Sequence, residues 1–371
     1  MRMEAFMKFI RRIMIVGAAC MGLSMSCVHN VVVDPIEVAK DVEIAYTPAP
    51  ITKAYAEFDH SYVFESAAYY LAPASPFESF INYGEKCINY VPSSTVSCVN
   101  NVWRMASPYY WPKDGGTLTF FSWSLNKSTL DFNTGSIASA EIKPELGVHL
   151  KDFDITVDGD IDFIVADIAA DQTKNLEEYY VSGVPTLFRH KLASVKFTAE
   201  TDADYSASKA FYIRSIEING IARTADYQQG EVVTTSDPWT WTTVDRWTVN
   251  GTYDVAYFKY SGNENSYATD GVEVIKDVQD VKGEQYFYIP ETFDGSETIT
   301  IWYQIVDLKT GIVEDVTVEV PLKTVGNQTG VVGDSFDVGK IYTINLRFRL
   351  DEITWDPSVE DWAKSDAELV L

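Results

Sequence analysis

Short apolar runs separated by turn residues recur along this chain, and the first of them alternates apolar and polar positions. Ile36, Val38, Val42, Ile44 and Tyr46 fall on alternate positions, with Lys40 the exception. That period of two is the signature of a half-buried strand. "TPAPITK" (47–53) follows, and its two prolines read as the end of that strand. Comparable runs are "YVFESAAYYLA" (62–72), "GTLTFFSWSL" (116–125), "DFIVADIA" (162–169) and "KLASVKFTAE" (191–200). Lys113-Asp114-Gly115-Gly116 supplies a turn before the second, and "AFYIRSIEING" (210–220) ends in Asn-Gly, a hairpin signal. "TYDVAYFKY", "QYFYIP", "ETITIWYQIVD", "DVTVEVPLK" and "KIYTINLRFRLDEITW" complete the series. Val, Ile, Thr, Tyr and Phe dominate these runs, and no long stretch repeats apolar residues at helical spacing. The pattern predicts an all-β chain built of β-sandwiches.

Length sets the number of domains. A single sandwich rarely needs more than about 150 residues, and the chain has 371. Two tandem domains are therefore expected, over 27–200 and 210–371, the first opening with the strand at about 36–46. "TAETDADYSASKA" (198–210), polar and small, is the expected junction, although it also suits a long hairpin loop. Segment 261–285, acidic and glycine-containing, reads as a surface loop or insertion.

Residues 1–26 have a different character. Arg2, Lys8, Arg11 and Arg12 outweigh Glu4, and the uncharged stretch Ile13–Met25 follows. This is the pattern of an export signal, too short to span a bilayer comfortably. Leu23-Ser24-Met25-Ser26-Cys27 resembles the bacterial lipobox, with Met25 a less usual member. The resemblance makes Cys27 an acylated N-terminus, and several acyl chains form a lasting membrane anchor. Losing four basic residues and one acidic one takes the net charge from −25 to −28. Such an acidic surface argues against nucleic acid, whose binding depends on basic side chains. After signal removal and acylation, Cys87 and Cys98 are the remaining thiols. Eleven residues apart in an oxidising compartment, they could clip a loop as a disulfide or stand as two free thiols.

Little in the sequence points to chemistry. His29, His60, His149 and His190 form no ligand-spaced pair, and no nucleophile elbow, P-loop or dinucleotide fingerprint occurs. No catalytic residue, metal or cofactor is assigned. In "DFDITVDGDIDFIVAD" (152–167), Asp158, Asp160 and Asp162 alternate as in a calcium loop. Phe163 occupies the position of the loop's glycine, and the closing glutamate is missing. One strand, acidic outside and apolar inside, is the preferred reading. Paired carboxylates for glycoside hydrolysis would be set by three-dimensional spacing, and nothing selects a pair. Trp239 and Trp241, in "DPWTWTTVDRW" (237–247), are candidate glycan-stacking residues or else core packing.

Three stretches together resemble the fimbrillin family, the anchored pilus subunits of Bacteroidales-type bacteria. They are "WRMASPYYWPKDGGTLTFFSWSL" (103–125), "DFIVADIAADQTK" (162–174) with "VPTLFRHKLASVKFTAE" (184–200), and "YTINLRFRLDEITWDPSVEDW" (342–362). The resemblance implies two transthyretin-like β-sandwich domains and lipoprotein export to the outer membrane and cell surface. It further implies proteolytic removal of the acylated N-terminal segment with its first strand. A strand of another fimbrial subunit then fills the vacated groove by donor-strand exchange. Lys53, before Ala54, is the candidate cut, although the family's stalk subunits are cut after arginine and no arginine lies between 13 and 103. "AKSDAELVL" (363–371) is a candidate donated strand or a frayed tail. The expected function is a non-enzymatic, adhesion-supporting fimbrial subunit, whose partners are other subunits, a membrane and possible surface receptors. The alternative is a surface glycan-binding lipoprotein of a nutrient-uptake system.

Overall fold

The structure, a computed structural model, describes residues 38–50, 58–77, 86–174, 183–230, 232–233, 242–243, 245–259, 271–281, 286–350 and 352–361. All of them belong to the unit Val38–Leu371. In chain order the strands begin with β1 (Val38–Glu43), β2 (Tyr46–Pro50), β3 (Val63–Leu71), β4 (Ile88–Val99), β5 (Val102–Met105), β6 (Tyr110–Pro112) and β7 (Thr117–Ser124). β8 (Ser139–Lys143) and β9 (Gly147–Asp154) precede one helical turn, α1 (Ile155–Asp158). Then come β10 (Ile164–Ala166), β11 (Ala169–Gln172), β12 (Val184–His190), β13 (Ala193–Thr201), β14 (Lys209–Gln228), β15 (Val232–Val233), β16 (Thr242–Thr243) and β17 (Arg246–Lys259). The series closes with β18 (Val272–Val274), β19 (Gln279–Asp280), β20 (Tyr286–Tyr288), β21 (Glu291–Thr292), β22 (Thr298–Asp307), β23 (Val313–Pro321), β24 (Ser335–Phe336), β25 (Lys340–Phe348) and β26 (Ile353–Asp361). The all-β expectation holds.

The first large sheet runs β10-β12-β2-β5-β4-β3-β7-β11, and β10 also pairs with β7. Because β10 bonds both β12 and β7, the sheet closes on itself as a barrel. Alternation decides what fills it. Phe64, Phe120, Trp103, Phe188 and Tyr46 form one aromatic cluster. The opposite faces of β3 and β7 place Ala67, Tyr69, Leu71, Phe121 and Trp123 in a second, larger core.

That larger core is a sandwich. Its five-stranded sheet contains β13, β25, β26, β19 and β20, and its seven-stranded sheet contains β23, β22, β14, β9, β8, β17 and β18. Val195 and Phe197 of one sheet join Ile213, Ile216, Ile299 and Ile301 of the other in a single buried cluster. Phe348 packs on Phe211 at 6.0 Å and on Tyr303 at 5.0 Å. Each such side chain contributes roughly 1.5–3 kcal/mol by leaving water. β13 runs parallel to β25, while β9 pairs with β14, so early and late strands share both sheets. Residues 198–210 comprise the end of β13, a turn and the start of β14.

Three local expectations are corrected. Asn219-Gly220 makes no hairpin, because β14 runs through it. Gly220 takes φ 76 within a register shift against β17, so the left-handed glycine forms a bulge rather than a turn. Residues 152–167 are not one strand, since Asp154 accepts the Thr156 N–H at 2.9 Å and caps α1. The single strand expected at about 36–46 is two, β1 and β2 with different partners, and "TPAP" does not end the second of them. β2 extends through Pro50, for a reason that bears on the site.

Candidate assembly site

β2 is the one element linking β12 to β5 in the closed sheet. It lies parallel to β12, with Val184 opposite Tyr46 and Phe188 opposite Pro50. Its pairing with β5 is confined to Tyr46 and Trp103. Ahead of it, β1 pairs with β6, Val38 opposite Pro112 and Glu43 opposite Tyr110. Removing β1 and β2 would therefore open the barrel and expose two facing strand edges and an apolar slot.

Alternate positions fill that slot. Ile44 and Tyr46 are 4% and 3% exposed, and Pro48 is buried. The Tyr46 ring meets Phe64 edge-on at 5.5 Å and Phe120 at 5.8 Å. Burial drives its phenol pKa well above the usual tyrosine value. Phe58 completes the wall, stacked on Phe188 at 5.0 Å and tilted against Trp103 at 5.4 Å. Beside β2, Gly183 is required by close approach. A Cβ there would lie 2.7 Å from the Tyr46 carbonyl carbon and 3.0 Å from the Ala45 oxygen.

Charged pairs fix β12, the strand on which β2 lies. Arg189 donates to both oxygens of Asp167, at 2.7 and 2.8 Å. His190 Nδ1 is 3.0 Å from Asp162, and Asn126 donates to the same carboxylate at 3.0 Å. Lys191, just beyond the strand and buried, donates from Nζ to Asp245 at 2.7 Å. The other Asp245 oxygen accepts the Tyr227 hydroxyl at 2.6 Å. Trp247 Nε1 donates to the Lys191 carbonyl at 3.0 Å. Three successive side chains, Arg189, His190 and Lys191, thus tie β12 and its end to surrounding elements.

The aspartates of 158–162 serve separate structural ends. Asp158 accepts from Ser136 Oγ at 2.5 Å and from the Asn133 N–H at 3.2 Å. Burial raises its pKa, against those hydrogen bonds. Asp160 accepts from Asn133 Nδ2 at 2.6 Å, and Asp162 faces His190. Asn133 thus joins Asp158 and Asp160 while Asp162 turns to His190 and Asn126, and no cluster able to hold a metal occurs among the described residues.

The suggested disulfide is corrected. Cys87 and Cys98 are free thiols at opposite ends of β4. An extended strand rises about 3.4 Å per residue, so their separation is several times the 7 Å or so that a disulfide spans. Burial pushes the Cys87 thiol up to about 11. Cys27, Lys53, Ala54, Trp239, Trp241 and the tail 363–371 lie outside the described residues.

Trp103 lies opposite Tyr46, Tyr110-Trp111-Pro112 forms the partner of β1, and Phe188 lies opposite Pro50. Parts of two of the stretches that carried the family resemblance, 103–125 and 184–200, therefore border β1 and β2, whereas 342–362 forms β25 and β26 of the five-stranded sheet. The contact of Gly183 and the Lys191–Asp245–Tyr227 knot were not singled out in the sequence. Each depends on segments brought together only by folding.

Comparison with known proteins agrees with this architecture. No curated protein matches the chain. Its fold is similar to the crystal structure of a fimbrial protein from Bacteroides vulgatus, at 16% identity and a TM-score of 0.58, covering 86% of this chain and 99% of that one. A cell adhesion protein from Bacteroides uniformis is similar at 13% identity and a TM-score of 0.45, covering 86% and 99%. That second likeness is too loose to carry an argument. The sequence profile described as fimbrillin-like matches residues 78–362, and with most of its length so matched the chain belongs to the fimbrillin-like family.

Proposed function

We propose that this protein is a structural subunit of a cell-surface fimbria, exported as a lipoprotein through Cys27 and assembled by strand exchange at the slot now filled by β1 and β2. The observation that carries the reading is topological. β2 is the stave that joins β12 to β5, and it precedes Lys53 in the chain. Cleavage after Lys53 would leave β1 and β2 held by hydrogen bonds and by the burial of Ile44 and Tyr46, with no covalent tie. An extended segment of a neighbouring subunit could then pair with β12 and β5 and refill the apolar slot. The division into two tandem domains at 200–210 is part of the same proposal. Because β9–β14 and β13–β25 pair across it, a nick there would leave the halves associated.

The test compares chains beginning at residue 28 and at Ala54. Higher oligomers in the shorter chain alone are the expected result. Two monomers of indifferent stability would refute strand exchange.

A further inference from the structure

We propose that β2 is a self-terminating cap, whose inner flank saturates the edge of β12 while its outer flank cannot template another strand. The inference rests on the reading above, in which β2 is the resident stave of the assembly slot. It concerns what keeps the uncleaved chain single.

The two flanks can be assigned residue by residue. The Val184 N–H donates to the Ala45 carbonyl at 2.8 Å. With Val184 opposite Tyr46 in a parallel ladder, the backbone groups of residues 45, 47 and 49 face β12. Those of Tyr46, Pro48 and Pro50 face the other way, towards β5. Tyr46 meets Trp103 there, but β5 reaches no further. The β4–β5 hairpin turns at Asn100 and Asn101, both at positive φ (53 and 61), so no residue is set opposite Pro48. Among the described residues, the outer flank of β2 is therefore unpaired at 48 and 50.

An open flank in a closed barrel is the place where a second copy of the chain could add a strand. Both nitrogens it would need are proline nitrogens, which carry no hydrogen. The edge beneath is different. Val184, Thr186 and Phe188 present their N–H groups to β2, and the one proline of β12, Pro185, faces away from it. Prolines therefore occupy the flank that must stay closed and are absent from the edge that must receive a strand.

The same placement recurs at a second open edge. In the β25–β26 hairpin the Arg349 N–H donates to the Glu352 carbonyl at 2.9 Å. This fixes the alternation of hydrogen-bonded pairs, and the Ile344–Pro357 pair falls between them. The nitrogen of Pro357 thus faces away from β25, on the outer side of the sheet's last strand.

The experiment introduces donors into the outer flank of the full chain, as Pro48→Val with Pro50→Thr, and measures mass by light scattering over a wide concentration range. The parent chain is expected to stay a single species. The variant is expected to double its average mass as concentration rises, with amide exchange at positions 48 and 50 slowing at least tenfold in the larger species. A variant that keeps the parent's circular dichroism and remains single at every concentration overturns the proposal. If the double variant fails to fold, Pro50→Thr alone, at the end of the strand, takes its place. Pro185→Thr adds a donor to the opposite flank of β12 and should leave the mass unchanged; doubling there too would overturn the assignment to β2. Failure of strand exchange is read separately, from the chain beginning at Ala54, and does not affect these masses.

Discussion

Replacing Tyr46 with alanine should detach the cap without unfolding the molecule. The ring is 3% exposed and lies against Phe64 and Phe120. Truncating a buried aromatic to alanine costs about 3–5 kcal/mol. We take the lower end, about 3 kcal/mol, because releasing a buried hydroxyl returns part of the loss. At about 1.4 kcal/mol per factor of ten, the opening of β2 becomes more frequent by on the order of a hundredfold. Hydrogen exchange reports this directly. The Val184 amide is bonded to the Ala45 carbonyl, so its exchange tracks loss of β2. The Ile216 amide, in the middle of β14 and fully buried, tracks opening of the sandwich. Exchange at Val184 should rise about a hundredfold while that at Ile216 stays within a few-fold of the parent. An equal rise at both would mean that β2 cannot leave without global unfolding. A rise under tenfold at Val184 would mean that Tyr46 is not the anchor. Either result refutes the reasoning.

Other substitutions probe the same frame. Gly183→Val would drive a side chain into the Tyr46 and Ala45 backbone, and limited proteolysis should then release the segment before residue 58 at parent-like overall stability. Asp245→Ala strands the buried Lys191 ammonium and should lower unfolding stability by about 3–5 kcal/mol, whereas the double change Lys191→Met with Asp245→Leu should recover most of it in denaturant melts. Glu291 gives a pH signature. Burial, reinforced by Glu297 and Asp294, raises its pKa from 4.5 to about 7, against the pull of the Ala222 N–H. Between those values the native state holds a proton that the unfolded chain has released, so this group's contribution to stability is complete below about 4.5 and is lost as pH rises through about 7. Glu291→Gln should flatten that fall in melts taken across the range, and an unchanged slope would remove Glu291 as its source.

Much of the fold was legible because strand periodicity and composition are local properties. "GTLTFFSWSL" and "YVFESAAYYLA", rich in aromatic and apolar residues, hold β7 and β3, both buried on two faces. The misreadings share a cause. A proline pair reads as a breaker because sequence does not show which flank of a strand needs donors. Pro48 and Pro50 lose theirs on the side where β5 has already turned away. Asn219-Gly220 reads as a turn because hairpins and bulges both use a glycine at positive φ. Cys87 and Cys98 look close along the chain, yet an extended strand is the conformation that separates them most. The slot itself was half visible. Ile44 and Tyr46 stood out by alternation, and Trp103 and Trp111 by resemblance. That they meet is a matter of topology, as is the contact of Gly183 with β2.

The place of β2 in the chain order decides whether such a stave can be exchanged at all. Any strand of a closed barrel can be drawn as removable, but the covalent connections limit which one can leave. β12 is also a stave between two neighbours, yet it is joined to β11 on one side and to β13 on the other. Releasing it needs two cuts, and its departure would break the Arg189–Asp167 and His190–Asp162 pairs. β2 and β1 precede every other strand described, so one cut between Pro50 and Phe58 frees both together. Their anchors are of the kind another strand can supply: backbone hydrogen bonds to β12, the pairing of β1 with β6, one pairing with Trp103, and an alternating row of apolar side chains. Charge ties the slot's walls together, whereas pattern holds most of its occupant, with the half-exposed Glu43–Arg104 pair at 3.9 Å beside it. On the proposed strand exchange, a slot so built would accept an extended segment that runs parallel to β12 with bulky apolar residues where Ile44 and Tyr46 now sit. It excludes one that carries a charge at the Tyr46 position, because Phe64, Phe120 and Trp103 offer that charge no partner.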